Sequence, residues 1–204
     1  VLAERAMVVF NASGQLEDAL RAEEMLPRAW AREGHEDRVA ERAADLLRRW
    51  EARSGNVAIE GQVRCLVMLV SMHARKFRLD EGIRVGVWAV KLARSSENMA
   101  LLLPRAGNAL AGLYFARACA LHPATGWASH LTALLPSDEP EVVRNCTAAI
   151  ALLEEMRPIA EAEGNTFQVA LMGSNAAQCR VLLGEPERAL PDMLRFLQAT
   201  RDRH

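Results

Sequence analysis

The stretch Val181-Leu182-Leu183-Gly184-Glu185-Pro186-Glu187-Arg188-Ala189-Leu190 reads as the end of one helix, a tight turn and the start of another. Gly184 suits the left-handed position just past a helix C-terminus, because without a Cβ it escapes the clash other residues meet there. Pro186 suits the first turn of the next helix, where its missing N–H has no bond to lose and its φ is already set. Working outward, the pattern predicts a helix over Phe167 to Leu183 and a second over Glu187 to Gln198. Such a hairpin cannot bury its apolar side alone, so the rest of the chain is expected to repeat it.

Repeats are visible. Three helix endings resemble one another: Ala52-Arg53-Ser54-Gly55-Asn56, Ala93-Arg94-Ser95-Ser96-Glu97-Asn98 and Ala160-Glu161-Ala162-Glu163-Gly164-Asn165, with Ala199-Thr200-Arg201-Asp202-Arg203-His204 as a fourth. Asn56 and Asn98 stand about 42 positions apart, near the upper end for helical-hairpin repeats. Asn98 and Asn165 are about 25 positions further apart than that period, which implies one repeat carrying an insertion. Counting on from the asparagines aligns Arg105-Ala106-Gly107-Asn108-Ala109-Leu110-Ala111-Gly112 with Met172-Gly173-Ser174-Asn175-Ala176-Ala177-Gln178-Cys179, so that Asn108 falls on Asn175.

The units expected are 16–56, 57–98, 99–165 with an insertion over 116–140, and 166–204. In the first, Leu16 to Glu33 is paired with Glu36 to Arg53 around Gly34. In the second, Val57 to Arg75 is paired with Asp80 to Ser95. A leading helix, Leu2 to Phe10, is left over. Glu36 to Arg53 carries Val39, Ala43, Leu46, Leu47 and Trp50 at helical spacing, whereas Leu66 to Met72 and Ile83 to Ala93 are apolar nearly all round, as for helices packed on both sides. Gly82 and Gly86 bare one face of their helix to a close neighbour. The chain is thus predicted to be a single all-α repeat domain over 1–204 of about nine or ten helices, a right-handed superhelical array of antiparallel hairpins.

Composition agrees. Half of the 204 residues are hydrophobic and only 5% aromatic, with the apolar share dominated by helix-favouring Ala and Leu. A net charge of −1 offers no electrostatic footprint for nucleic acid or an anionic membrane. The four cysteines are widely spaced, without a Cys-x-x-Cys pair, and read as reduced, buried small hydrophobes of a cytoplasmic protein. Cys65 to Val70, the longest strongly apolar stretch, is too short to span a membrane, and none is expected. The chain opens on Val1-Leu2-Ala3, as expected of a piece of a longer protein whose output activity lies elsewhere.

Val181 to Leu190 resembles the "Leu-Gly-acidic-x-x-x-Ala-Leu" turn of tetratricopeptide repeats, with Ala177 as the small residue of the first helix. Gly14-Gln15-Leu16-Glu17-Asp18-Ala19-Leu20, with Phe10 at the aromatic position, is a second partial match, and it pairs the helix of Leu16 with the one before it. A third, around Asp80-Glu81-Gly82-Ile83, has Gly where the family has Ala, and the family's Trp and Tyr of the first helix are missing. Long repeats with such helix ends resemble the sensory regions of bacterial signalling proteins, those preceding GGDEF diguanylate cyclase domains or within LuxR/MalT-type regulators. The resemblance implies a non-catalytic module that binds a protein, a peptide or a small signal. A homodimerising scaffold that spaces attached domains is the alternative.

If first helices line the groove, Asn108, Asn175 and Gln178 project there, and His73 sits at a comparable position one unit earlier. Amides both donate and accept, which suits an extended peptide backbone; the competing reading is that they bond inside the stack. The insertion holds Cys119, His122, Trp127 and His130. Cys and His are the ligands zinc prefers, and an all-α metal hydrolase built on Cys119, His122 and His130 is the remote alternative. Their spacing fits no standard site, so a short extra helix over Thr125 to Leu135, with Trp127 packed on the array, is expected instead. No cofactor, metal or catalytic residue is predicted. Arg38, Arg42, Arg49 and Arg53, interleaved with acids, are expected on a solvated face, and the pairs Glu23-Glu24 and Glu154-Glu155 as exposed helix charges.

Overall fold

The computed structural model describes residues 2–122 and 136–201, and over them the chain forms ten helices. They are α1 (Leu2–Ala12), α2 (Leu16–Glu23), α3 (Met25–Arg32), α4 (Glu36–Glu51), α5 (Asn56–Arg75), α6 (Leu79–Arg94), α7 (Met99–Leu121), α8 (Pro140–Ala162), α9 (Thr166–Leu182) and α10 (Pro186–Arg201). No strand occurs among the described residues, and helices pack on their sequence neighbours, so the all-α helical array is as expected. The predicted extra helix over Thr125 to Leu135 lies outside the described residues.

The chain divides into two compact units, Val1–Leu102 and Leu103–His204, with the division falling inside α7. In the first, α1 packs on α2, α3 on α4, α4 on α5 and α5 on α6. In the second, α8 packs on α9 and α9 on α10.

Gly184 lies at φ +76, where the quoted stretch requires it. Its N–H donates to the Val181 carbonyl at 3.0 Å and that of Glu185 to the Arg180 carbonyl at 2.8 Å, which satisfies the last open carbonyls of α9. The α1–α2 turn at Gly14 and the α5–α6 turn at Phe77 close with the same pair of bonds, so the three partial matches to one sequence pattern share one backbone turn. Phe77 holds φ +55, the left-handed conformation, without being glycine.

Two expectations are corrected in the first unit. Leu16 to Glu33 is not one helix but α2 and α3, parted at Glu24. Pro27 is the cause: it has no N–H for the Glu23 carbonyl, and its ring crowds that carbonyl. Helix α1 packs on α2, as the Gly14 match has it, and α3 packs on α4, as the asparagine endings have it. The second correction concerns α6, which is not covered all round: Val87 and Trp88 are exposed.

The asparagines of the repeated endings lie at helix starts, as their place before a new helix implies. Asn165 caps α9 by accepting from the Gln168 N–H at 3.1 Å. Asn56 donates to Glu97, and Asn98 donates to Glu60. Among the described residues one helix, α5, is long and apolar enough by length and composition to cross a membrane, contrary to the reading from Cys65 to Val70. Its apolarity has a local use, since it packs between α4 and α6 and buries Ala58, Val63, Cys65, Leu66, Val70 and Met72.

Candidate functional site

In the second unit Asn108 of α7 and Asn175 of α9 meet. Asn175 Nδ2 donates to Asn108 Oδ1 at 2.9 Å, and both side chains are half-buried. The approach depends on small residues. A Cβ on Gly107 would stand 2.5 Å from Met156 Cγ of α8, so only glycine lets α7 lie this close. Ala106, Ala176 and Ala177 are buried beside the two asparagines in sequence. Gln178, one turn beyond Asn175, is half-buried and donates to the Ser174 carbonyl of its own helix at 3.4 Å. Asn108 and Asn175 bond to each other inside the stack and are only half-buried. The shared bond uses one acceptor site of Asn108 and one donor of Asn175, and each amide keeps further hydrogen-bonding capacity.

A charged network holds the other side of α9. Arg180 donates to Asp192 of α10 at 2.8 Å and to Glu154 of α8 at 2.6 Å. Arg157 of α8 adds two bonds to the Asp192 carboxylate, at 3.2 and 3.1 Å. Asp192 and Arg180 are both buried, and Gly173 makes the room, since a Cβ there would meet Asp192 at 3.1 Å. Such a network stabilises only when its members are together, and here it locks three helices in register. Arg157, Asp192, Gly173 and Phe167 also line a cleft of about 590 Å³. Apart from Glu154, none of these residues was read from the sequence as part of a charged network, although an arginine inside the apolar run Cys179-Arg180-Val181-Leu182 is the signal of a buried partner. Glu154 is exposed as expected and is tied in at its edge.

The first unit has its own network, which overturns the reading of Glu23 and Glu24 as exposed. Both are buried, at 1% and 3% exposure. Glu23 accepts from Arg49 at 2.7 and 2.8 Å and pairs with Arg42. Glu24 accepts from Trp50 Nε1 at 2.9 Å and from Arg64 Nε at 2.7 Å. Burial alone would lower the Arg64 pKa, but its bond to Glu24 and the nearby carboxylates raise it. The arginine face of α4 is thus divided. Arg42 and Arg49 close over α2, Arg53 donates to the Arg49 carbonyl, and Arg38 stacks 3.7 Å over the Trp30 ring. Arg49 also pairs with Asp45, one turn back on its own helix, at 3.8 Å. Trp30, Arg38 and Arg42 line a second cleft, of about 550 Å³.

His73 lies in the first unit, half-buried near the end of α5. Burial, with Arg78, Lys76 and Arg84, outweighs Glu81 and holds its imidazole below the usual histidine pKa. Of the insertion residues, His122 is buried just past α7 and Cys119 is half-buried, whereas Trp127 and His130 lie outside the described residues. Among the described residues no three His, Cys, Asp or Glu side chains are grouped to hold a metal. The cysteines are free, with Cys65, Cys146 and Cys179 buried. Cys179 shares a hydrogen bond with Cys146, and this bond together with burial holds its thiol far above the usual value; burial pushes Cys119 up to about 11.

No protein-family model matches this chain, and no curated protein matches it.

Proposed function

We propose that the chain is a non-catalytic binding module, a right-handed superhelical array of the tetratricopeptide kind whose first helices receive an extended peptide or a small signal. The observation that carries this reading is the half-exposed Asn108–Asn175 pair, which offers a donor and an acceptor from two first helices at one place. A peptide backbone presents the complementary groups at similar spacing. Gln178 extends the amide strip along α9, and the buried network around Asp192 gives it a rigid floor. In keeping with its resemblance to sensory regions before cyclase domains, the module serves as a cytoplasmic regulatory input of a bacterial signalling protein.

The test is selection of random phage-displayed peptides on the immobilised 204-residue chain, followed by affinities for the double variant Asn108→Ala, Asn175→Ala. Losing two or more hydrogen bonds predicts binding about tenfold weaker or less, with helicity unchanged. Peptides that bind the double variant as well as the parent, or no enrichment at all, would overturn the reading.

A further inference from the structure

The outward face of α10 carries a seam. Glu187, Leu190, Leu194, Leu197 and Arg201 follow one another at alternating steps of three and four, the spacing of a coiled-coil contact line. All five are exposed, and the leucines are 56%, 56% and 52% accessible. The opposite face of α10, with Ala189 and Asp192 buried, is the one that packs on α9. The leucine row is therefore not a core stripe seen from its edge.

Charge chooses the occupant. The seam is acidic at one end and basic at the other, and neither Glu187 nor Arg201 enters an ion pair among the described residues. The flanking positions, Pro191, Met193, Gln198 and Thr200, carry no charge. Laid antiparallel on a copy of itself, α10 brings each Glu187 to the Arg201 end of the other helix and sets three leucines against three. Laid parallel, it would set Glu187 beside Glu187 and Arg201 beside Arg201. The seam is thus complementary to its own reverse, as a two-fold symmetric contact requires.

We propose that two copies of this chain associate antiparallel through the Glu187–Leu190–Leu194–Leu197–Arg201 face of α10. This contact does not rest on the amide site, and the variants that test one leave the other in place. Helix α10 has 16 residues, so its pairing buries less than a standard protein interface and gives a weak, concentration-dependent dimer.

Sedimentation equilibrium of the 204-residue chain up to about 100 µM reads it directly. The parent should dimerise in the micromolar range. Leu194→Glu should be monomeric, with unchanged helicity because the site is solvent-facing. Glu187→Arg and Arg201→Glu should each weaken the dimer about tenfold, as two attractive contacts become repulsive, and the double exchange should restore it. A monomeric parent, or a dimer indifferent to Leu194→Glu, would overturn the proposal. A double exchange no tighter than either single change would refute the antiparallel arrangement.

Discussion

Gly61 shows how much one missing atom decides. A Cβ there would lie 2.3 Å from two ring atoms of Trp50, a distance no packed structure tolerates. Trp50 cannot step aside, being fully buried and tied through Nε1 to Glu24. Alanine is the better helix former, by about 1 kcal/mol, yet overpacking costs about 1–3 kcal/mol and more where the neighbour is fixed. Gly61→Ala should therefore destabilise the chain by about 2 kcal/mol in urea denaturation. Gly112, inside α7, meets nothing within 4 Å, so Gly112→Ala should stabilise by up to about 1 kcal/mol. The two glycines look alike in sequence. What separates them is a tryptophan eleven positions before Gly61, brought there by the α4–α5 packing.

At the scale of elements, buried charges join helices that apolar contact packs together. Glu24 sits at the break between α2 and α3 and binds Trp50 of α4 and Arg64 of α5, linking three parts of the first unit. Replacing it by glutamine keeps the shape but removes the charge that Arg64, only 17% exposed, was buried against. Glu24→Gln should cost about 3 kcal/mol, the scale for breaking a buried pair, while Glu17→Gln, on the exposed side of α2, should be near neutral. Equal losses from the two substitutions would show that burial of Glu24 does not matter. The helix ends were readable because turn chemistry is local: Gly184 and Asn165 bond to residues close along the chain, and Pro186 opens α10 with no N–H to lose. The Glu23–Glu24 pair was misread because its partners are 26 and 40 positions away, and nothing in the local pattern announces them.

For the whole molecule, the cysteines give the broadest check on packing. Cys65, Cys146 and Cys179 are buried, and Cys119 is half-buried with its thiol pushed up to about 11. Thiolate, not thiol, is the nucleophile, so native protein at pH 8 should react with a chromogenic disulfide reagent far more slowly than a free cysteine. All four should titrate at once after unfolding in denaturant. One fast-reacting thiol in the native protein would show that the packing around it is looser than described.

By itself the sequence determined the all-α class and, to within a few residues, the ends of α4, α5, α6, α9 and α10, because helical periodicity and turn residues act over a few positions. It also put Asn108 on Asn175, through the repeat, and the structure bonds the two across α7 and α9. Only the tertiary structure decided that Glu23 and Glu24 are buried and that Asp192 joins α8, α9 and α10. The physical reason is the same for each. Burying a charge is favourable only when its partners arrive from other helices, and that arrival is a property of the packed chain.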